Sequence, residues 1–328
     1  MHGQLRWQAY AIGMRTRFRG IDVREGMLVH GPAGWAEWSP FWDYDATESS
    51  AWLAAALEAA HEPWPTPVRE SVPVNATVPA VGPQAAVDLV LGSGGCRTVK
   101  VKVAEPGQRL ADDLARVEAV RGVLGPTGAV RVDANGGWGV DEAMTAIRQL
   151  DRAAGGLEYV EQPCRTVEEL AQVRRRVDVP IAADESIRRV DDPMRVRALH
   201  AADIAVLKVQ PLGGVRACLR IAEQIELPVV VSSALETSVG IAAGVALAAA
   251  LPALPYACGL ATVALLRADV VARPLLPVDG ALPVVRPEPE PQLLAAARAD
   301  AETAERWSER RAAVEATTLH ARRAGRPA

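Results

Sequence analysis

The chain has 328 residues, 49% of them hydrophobic and 23% charged, with a formal net charge of −4. Such a composition excludes a disordered chain, and the slight acidity leaves no broad basic field for nucleic acid. The four cysteines (Cys96, Cys164, Cys218 and Cys258) are widely spaced with no C-x-x-C pair. This argues against a zinc knuckle or disulfide framework and for reduced thiols in a cytoplasmic setting.

The first twenty residues, MHGQLRWQAYAIGMRTRFRG, lack an apolar core followed by a small-residue cleavage site, so they do not read as a secretory signal. Residues 1–70 read as a small α+β cap. It has a hairpin-like stretch over Gly3–Glu37, a helix over Ala46–Ala60, and six of the eight tryptophans: Trp7, Trp35, Trp38, Trp42, Trp52 and Trp64.

From Ser71 onward short β-rich runs alternate with helical stretches. Strands are expected at Val72–Val78, Thr98–Val103, Val130–Asn135, Leu157–Gln162, Val179–Glu185, Ile204–Gln210, Pro228–Ala234 and Pro255–Leu260. Most are rich in Val and Ile, as strands covered on both faces are. Apolar residues three or four apart predict helices over Gln108–Leu124, Asp141–Ala154 and Gly213–Glu226. Thr166 followed by Glu169 is a capping-box pattern that opens another helix over Thr166–Val177. The longest apolar run, Val239–Pro255, is short for a membrane span and predicts a buried helix on a sheet. The tail, VRPEPEPQ and then an Ala/Arg/Glu-rich helix to about Ala316, is expected to return to the cap, which residues 275–328 would complete.

Eight strands with seven helices permit a doubly wound open sheet or a (β/α) barrel. The polar strand ends Lys102, Asp133, Glu161, Asp184, Lys208 and Ser232 recur every 23 to 31 residues. Ends so regularly spaced favour a closed barrel over residues 71–274, where they converge on one mouth, the usual place of a barrel active site.

Asp133, Glu161 and Asp184 end three successive strands. Any one of them alone reads as a solvated strand end or a helix cap. Three brought to one mouth repel one another unless a cation stands between them. All-oxygen ligation without His or Cys favours Mg²⁺ or Mn²⁺. Lys100 and Lys102 lie two apart on one strand and so share a face. Lys208 ends the sixth strand, opposite the second in an eight-strand ring. Metal and lysines together suit removal of a proton next to a carboxylate, since the metal steadies the dianion and a crowded lysine can act as base. Arg131 and Asn135 share the face of Asp133. Arg131 either grips a second carboxylate in a two-pronged hydrogen bond or is an ordinary surface arginine. Ser232 and Ser233 either bond a substrate or cap the next helix. The Gly213-Gly214 pair either receives an anion on backbone N–H groups or makes a tight turn. None of the five histidines falls at a strand end, which argues against Ser-His-Asp hydrolysis.

The stretches KVKV (Lys100–Val103), VDAN (Val132–Asn135), VEQP (Val160–Pro163), ADES (Ala183–Ser186) and LKVQPLGG (Leu207–Gly214) resemble the muconate-lactonising branch of the enolase superfamily across the whole barrel. Sites of that superfamily pair a Lys or His base with Mg²⁺. Within the branch, KVAEPGQ (Lys102–Gln108), Arg131, SSALETSVG (Ser232–Gly240) and CGLATVALL (Cys258–Leu266) look most like the actinobacterial o-succinylbenzoate synthase family. The resemblance implies Mg²⁺-dependent dehydration of 2-succinyl-6-hydroxy-2,4-cyclohexadiene-1-carboxylate to 2-succinylbenzoate in menaquinone biosynthesis. Lys102 would be the base and Lys208 its partner on the opposite face, with Lys100 in support. Asp133, Glu161 and Asp184 would hold the metal, and Ser232, Ser233 and Gly259 would lie against substrate. A cap loop near Arg15–Ile21 would close over the site.

The nearest rival is an N-succinylamino acid racemase using the same lysines. A dipeptide epimerase would carry an acidic pair on the eighth strand, which CGLATV lacks. A Schiff-base aldolase would need one buried lysine and no metal, and a non-catalytic ligand-binding barrel would need none of this constellation. The expected partner is a small-molecule carboxylate, with neither nucleic acid nor membrane. The sequence sets no oligomeric state and suits a monomer.

Overall fold

The computed structural model describes residues 5–188 and 192–323. Residues 3 and 4 of the expected hairpin and residues 324–328 of the tail fall outside that range.

The chain opens with an antiparallel sheet of β1 (Arg6–Phe18), β2 (Ile21–Gly31) and β3 (Gly34–Trp38), in that order. Tyr10, Ile12 and Met14 alternate inward along β1 with the period of a half-covered strand. Phe18 pairs with Ile21, so β1 and β2 join through Arg19 and Gly20 alone. Both are at positive φ, 50° and 76°, the pattern of a type I′ hairpin turn. Helix α1 (Glu48–His61) buries Trp52, Leu53, Ala56 and Ala60.

The strands β4 (Ser71–Pro73) and β5 (Ala76–Val78) and the helix α2 (Pro83–Leu91) lead into the barrel. It continues as β6 (Thr98–Lys102), α3 (Leu110–Leu124), β7 (Ala129–Asp133), α4 (Val140–Ala154), β8 (Tyr159–Glu161), α5 (Val167–Arg174), β9 (Ile181–Ala183), α6 (Asp192–Ala198), β10 (Ile204–Lys208), α7 (Val215–Ile225), β11 (Val229–Ser232) and α8 (Ser238–Ala250). β5 to β11 form one parallel sheet in sequence order. Short crossovers through helices give that order. Thr166 caps α5 in the expected box with Glu169.

Two strand expectations need correction. The first strand, expected over Val72–Val78, is split. Pro73 offers no N–H to a ladder, and β4 turns out to pair antiparallel with β12 (Ala281–Pro283), leaving only β5 for the barrel. The eighth strand is reduced to Cys258 and Gly259, bridged to Val74 on one side and Ser232 on the other. Asn75 N–H donates to the Cys258 carbonyl at 2.9 Å, and Gly259 N–H donates to the Val231 carbonyl at 2.8 Å. These two residues complete the ring, so the fold is an α/β barrel with an α+β cap. A Cβ on Gly259 would meet Ser232 Oγ at 2.6 Å, so a side chain here would displace that hydroxyl.

The buried apolar run is α8, in which every residue except Ala250 is buried. Among the described residues no helix is long and apolar enough to cross a membrane. The tail forms α9 (Pro291–Ala296) and α10 (Ala301–Arg323), longer than expected. Trp307 of α10 is fully buried and meets Trp38 edge to face, with ring centroids 5.4 Å apart. Arg310 donates to the carbonyls of Pro40, Phe41 and Tyr44. The tail therefore braces cap residues that hang over the barrel mouth.

Candidate active site

The parallel register sets the functional side chains side by side. Lys100 pairs with Arg131, Lys102 with Asp133, and Asp133 with Glu161, while Lys208 pairs with Ser232. Alternation along a strand points Lys100 and Lys102 to the same side, into the ring. Lys100, Lys102, Asp133, Glu161, Asp184 and Lys208 are all buried.

Each acid is engaged by a cation. Lys102 Nζ stands 2.5 Å from Asp133 Oδ2. Lys100 Nζ lies 2.7 Å from Glu161 Oε1 and 3.1 Å from Asp133 Oδ2. Lys208 Nζ is 2.5 Å from Asp184 Oδ2, which Arg188 also reaches at 3.0 Å. Asn135, at φ 45°, accepts from Lys102 Nζ at 2.6 Å and donates to Glu185 at 3.1 Å. Gln162, at φ 40°, uses its oxygen and one amide hydrogen to tie the end of β8 to that of β9, and the other amide hydrogen within its own loop. Its Oε1 accepts from the N–H groups of Asp184 and Ser186, and its Nε2 donates to Cys164 O and Ser186 Oγ.

The electrostatics follow from burial and proximity. Burial, with the adjacent Asp133 charge, pushes the Glu161 carboxyl up to about 7. Asp133 is equally buried, but Lys102 and Lys100 outweigh that and hold it well below the usual carboxylate range. Against the same burial, Arg188 and Lys208 lower Asp184. The Lys100 ammonium is held well above its ordinary value because Glu161 and Asp133 override desolvation. Lys208 goes the other way: burial, helped by Arg188, lowers it despite Asp184. Burial and neighbouring charges thus move Lys100 and Lys208 in opposite directions.

Among the described residues no three His, Cys, Asp or Glu side chains stand in a ready ligand geometry for a metal. The donor chemistry nevertheless fits a hard divalent cation. Glu161 Oε2 and Asp184 Oδ1 are buried with no hydrogen-bond partner, and unsatisfied carboxylate oxygens on adjacent strands are what Mg²⁺ or Mn²⁺ takes.

Lys100, Lys102, Asp133 and Lys208 line a tight cavity of about 40 Å³ at the barrel mouth, together with Asn135, Ser232, Ser233 and Gly259. The cap closes it with Phe18, Arg19, Phe41, Tyr44 and Trp52. Phe18, Arg19, Phe41, Lys102 and Asn135 also line an outer vestibule of about 1000 Å³. Sequence reasoning placed the cap loop here but missed Arg188, Tyr44, Trp52 and Gln162. Arg188 had a local signal, standing four residues after Asp184, whereas the cap aromatics carried none that fixed their direction.

One expectation is corrected and one open reading is decided. Arg131 lies outside the cavity and is fully buried. It donates to Glu158, to Asn75 Oδ1 at 3.1 Å and to the Ala257 carbonyl at 2.7 Å, and it lies over the Tyr159 ring at 4.6 Å. Lys100 stands at the same level and reaches up to the mouth, whereas Arg131 turns its side chain down toward Glu158 and the Ala257 carbonyl, which precede their strands. Nor is the α7 N-terminus after Gly213-Gly214 open to an external anion. The Glu58 carboxylate of α1 accepts there from Val215 N–H at 3.0 Å and Arg216 N–H at 3.3 Å.

Comparison with known proteins bears on what this geometry belongs to. Residues 9–60 match the "Enolase N-terminal domain-like" family model and residues 84–290 the "Enolase C-terminal domain-like" model. The L-Ala-D/L-Glu epimerase from Bacillus subtilis superposes with a TM-score of 0.76 at 24% identity, over 88% of this chain and 97% of that one. The muconate lactonizing enzyme from Pseudomonas putida gives 0.75 at 21% identity, over 91% and 100%. These two share the fold. Sequence similarity is far higher to the o-succinylbenzoate synthase of Thermobifida fusca, 65% identical over 94% of this chain and 96% of that protein. That of Mycolicibacterium smegmatis is 57% identical over 93% and 94%. The chain belongs to the enolase superfamily and, within it, to the actinobacterial o-succinylbenzoate synthase family.

Proposed function

We propose that this chain is a hydro-lyase that dehydrates 2-succinyl-6-hydroxy-2,4-cyclohexadiene-1-carboxylate to 2-succinylbenzoate in the cytoplasm, as a step of menaquinone biosynthesis. The observation that carries the reading is the placing of Lys102 and Lys208 on β6 and β10, opposite walls of one cavity, with three buried carboxylates on the strands between them. The names of the relatives support it, as does the likeness of the whole barrel.

Asp133, Glu161 and Asp184 would hold Mg²⁺ or Mn²⁺, which when bound supplies positive charge beside the substrate carboxylate. Lys102 then takes the proton from the ring carbon that bears this carboxylate. The same ammonium returns a proton to the hydroxyl on the neighbouring carbon. The C–H and C–O bonds break on one face, water leaves and the ring becomes aromatic. Asn135 aims Lys102 by accepting from its Nζ. Lys208 faces the developing negative charge from the opposite wall, and Lys100 keeps Glu161 and Asp133 in place. Ser232, Ser233 and Gly259 form the wall beside Lys208. We take residues 1–70 with 275–328 as the cap and 71–274 as the catalytic domain. A cavity of about 40 Å³ holds a few water molecules but not the substrate, so the turn of Phe18 and Arg19 is expected to swing aside for substrate to enter.

The test is a spectroscopic assay on the cyclohexadiene substrate with Mg²⁺, using wild type, Lys102→Ala and Lys208→Ala. Loss of the base is expected to slow turnover by about 10²–10⁴-fold while the folded protein still binds product. Full turnover by Lys102→Ala would end the mechanism. Two facing lysines also suit racemisation, so wild type that racemises an N-succinylamino acid without dehydrating the cyclohexadiene would assign the chain to that chemistry.

A further inference from the structure

The seam between cap and barrel contains a buried guanidinium that the reaction does not use. Arg24, on β2, is only 2% exposed. Its side chain crosses to the loop after β11, where Nε donates to the Leu235 carbonyl at 2.7 Å and Nη2 to the Ala234 carbonyl at 3.3 Å. Nη2 also donates to the Ser39 carbonyl, and Nη1 to that of Glu25 at 2.9 Å. The guanidinium fork spreads its donors over several ångströms in a fixed plane and so reaches carbonyls that one ammonium nitrogen cannot span together. Leu235 sits at φ 65°, a conformation that a bulky residue keeps only when its surroundings hold it there.

Both gripped residues, Ala234 and Leu235, line the catalytic cavity. The same guanidinium also lies over the ring of Phe41, 4.4 Å from its centroid. The Arg19 guanidinium lies over that ring too, likewise at 4.4 Å. Arg19 lines the cavity from the cap turn and, among the described residues, has no hydrogen bond or ion pair. A free guanidinium at the cavity wall is a ready seat for a carboxylate. Behind the seam Glu37 and Glu236 are both buried. Glu37 accepts from Tyr10, Ser39 and Thr237, and Glu236 accepts from Ala234 N–H at 2.7 Å, so the Arg24 charge is fixed between cap and barrel.

We propose that Arg24 is a positioning residue for substrate recognition: it grips the Ala234 and Leu235 carbonyls, packs on Phe41, and thereby sets where Arg19 presents its charge to the carboxylate of a dicarboxylate ligand remote from the three acids. This deepens the dehydratase reading and rests on it only in requiring a dicarboxylate ligand.

The experiment is a double-mutant cycle on the Mg²⁺-loaded protein. Titration calorimetry gives Kd for 2-succinylbenzoate and for an N-succinylamino acid, steady-state kinetics gives KM and kcat, and melting controls for folding. Arg19→Gln is expected to raise Kd and KM at least tenfold. Arg24→Lys is expected to raise both about tenfold with kcat within threefold, and the double variant should bind no worse than Arg19→Gln within twofold. Phe41→Leu, which leaves the carbonyl bonds of Arg24 in place, should reproduce the loss of affinity, and it decides the matter should Arg24→Lys fail to fold. Unchanged Kd in folded Arg24→Lys or in Phe41→Leu overturns the proposal, as do losses that multiply in the double variant or a fall in kcat at constant KM. Wild type that binds 2-succinylbenzoate while these variants behave normally refutes the role of Arg24 and leaves the dehydratase reading standing. Wild type that dehydrates nothing, yet binds the succinylamino acid in an Arg24- and Arg19-dependent way, does the reverse. Binding of neither dicarboxylate refutes both.

Discussion

Replacing Arg131 by Met separates two roles that this residue could have, barrel rivet or substrate grip. The guanidinium is fully buried and donates to Asn75 Oδ1 and the Ala257 carbonyl, one residue ahead of the first strand and of the eighth. Methionine leaves both acceptors without a donor, at about 1–3 kcal/mol each, and loses the stacking on Tyr159, worth about 1 kcal/mol. Glu158 adds little, because it is partly exposed and can return to water. Relief from burying the guanidinium charge offsets a part. The net loss is about 3 kcal/mol, and at about 2–4 °C per kcal/mol for a large domain the melting point should fall by roughly 6–12 °C. KM, measured where the variant is folded, should stay within twofold of wild type, since Arg131 does not line the cavity. Calorimetry and steady-state kinetics check both halves. An unchanged melting point with a tenfold rise in KM, about 1.4 kcal/mol of lost binding, would refute the reasoning and restore Arg131 as a substrate ligand.

Stripping divalent cations with EDTA should abolish turnover, and Mg²⁺ or Mn²⁺ should restore it; full activity after exhaustive chelation would remove the metal from the mechanism. Glu236 is pushed up to about 7 by burial and by Glu37, with Arg24 opposing. A carboxyl that is raised in the folded state favours folding while protonated, so stability should fall as pH rises from about 4.5 through about 7. Glu236→Gln should flatten that slope, and denaturant melts at pH 5 and pH 8 that show an unchanged slope would contradict this. Trp307→Ala, deep between α10 and the cap, should cost about 3–5 kcal/mol, and a chemical-denaturation loss below 1 kcal/mol would mean that the tail does not brace the cap.

Much of the barrel was legible because its physics is periodic. Doubly buried Val and Ile runs, strand ends at regular intervals and the capping box at Thr166 all depend on neighbours within one βα unit. The gathering of Lys100, Lys102, Asp133, Glu161, Asp184 and Lys208 could be read for the same reason, since a parallel register turns equal positions on adjacent strands into contacts. Side-chain direction was harder to read. Arg131 is level with Lys100, and only its partners Glu158 and Ala257 turn it away from the mouth. The fate of the Gly213-Gly214 turn depended on Glu58, more than 150 residues earlier, and no local pattern announces such a partner. The cap backbone at Phe41 and Tyr44 is held by Arg310 of α10, at the far end of the chain.

The two-residue closure at Cys258 and Gly259 gives the ring a clasp instead of a full stave. It stands three or more strands away from β7, β8 and β9, which bring the acids, so slack at the join need not disturb them. Amide hydrogens of Cys258 and Gly259 are where solvent exchange should first reach the ring, and loops on either side of the clasp can change length over evolution without moving the carboxylates. Its one demand is steric: the strand may thin to a pair of residues, but a side chain on the second would have to push the Ser232 hydroxyl aside.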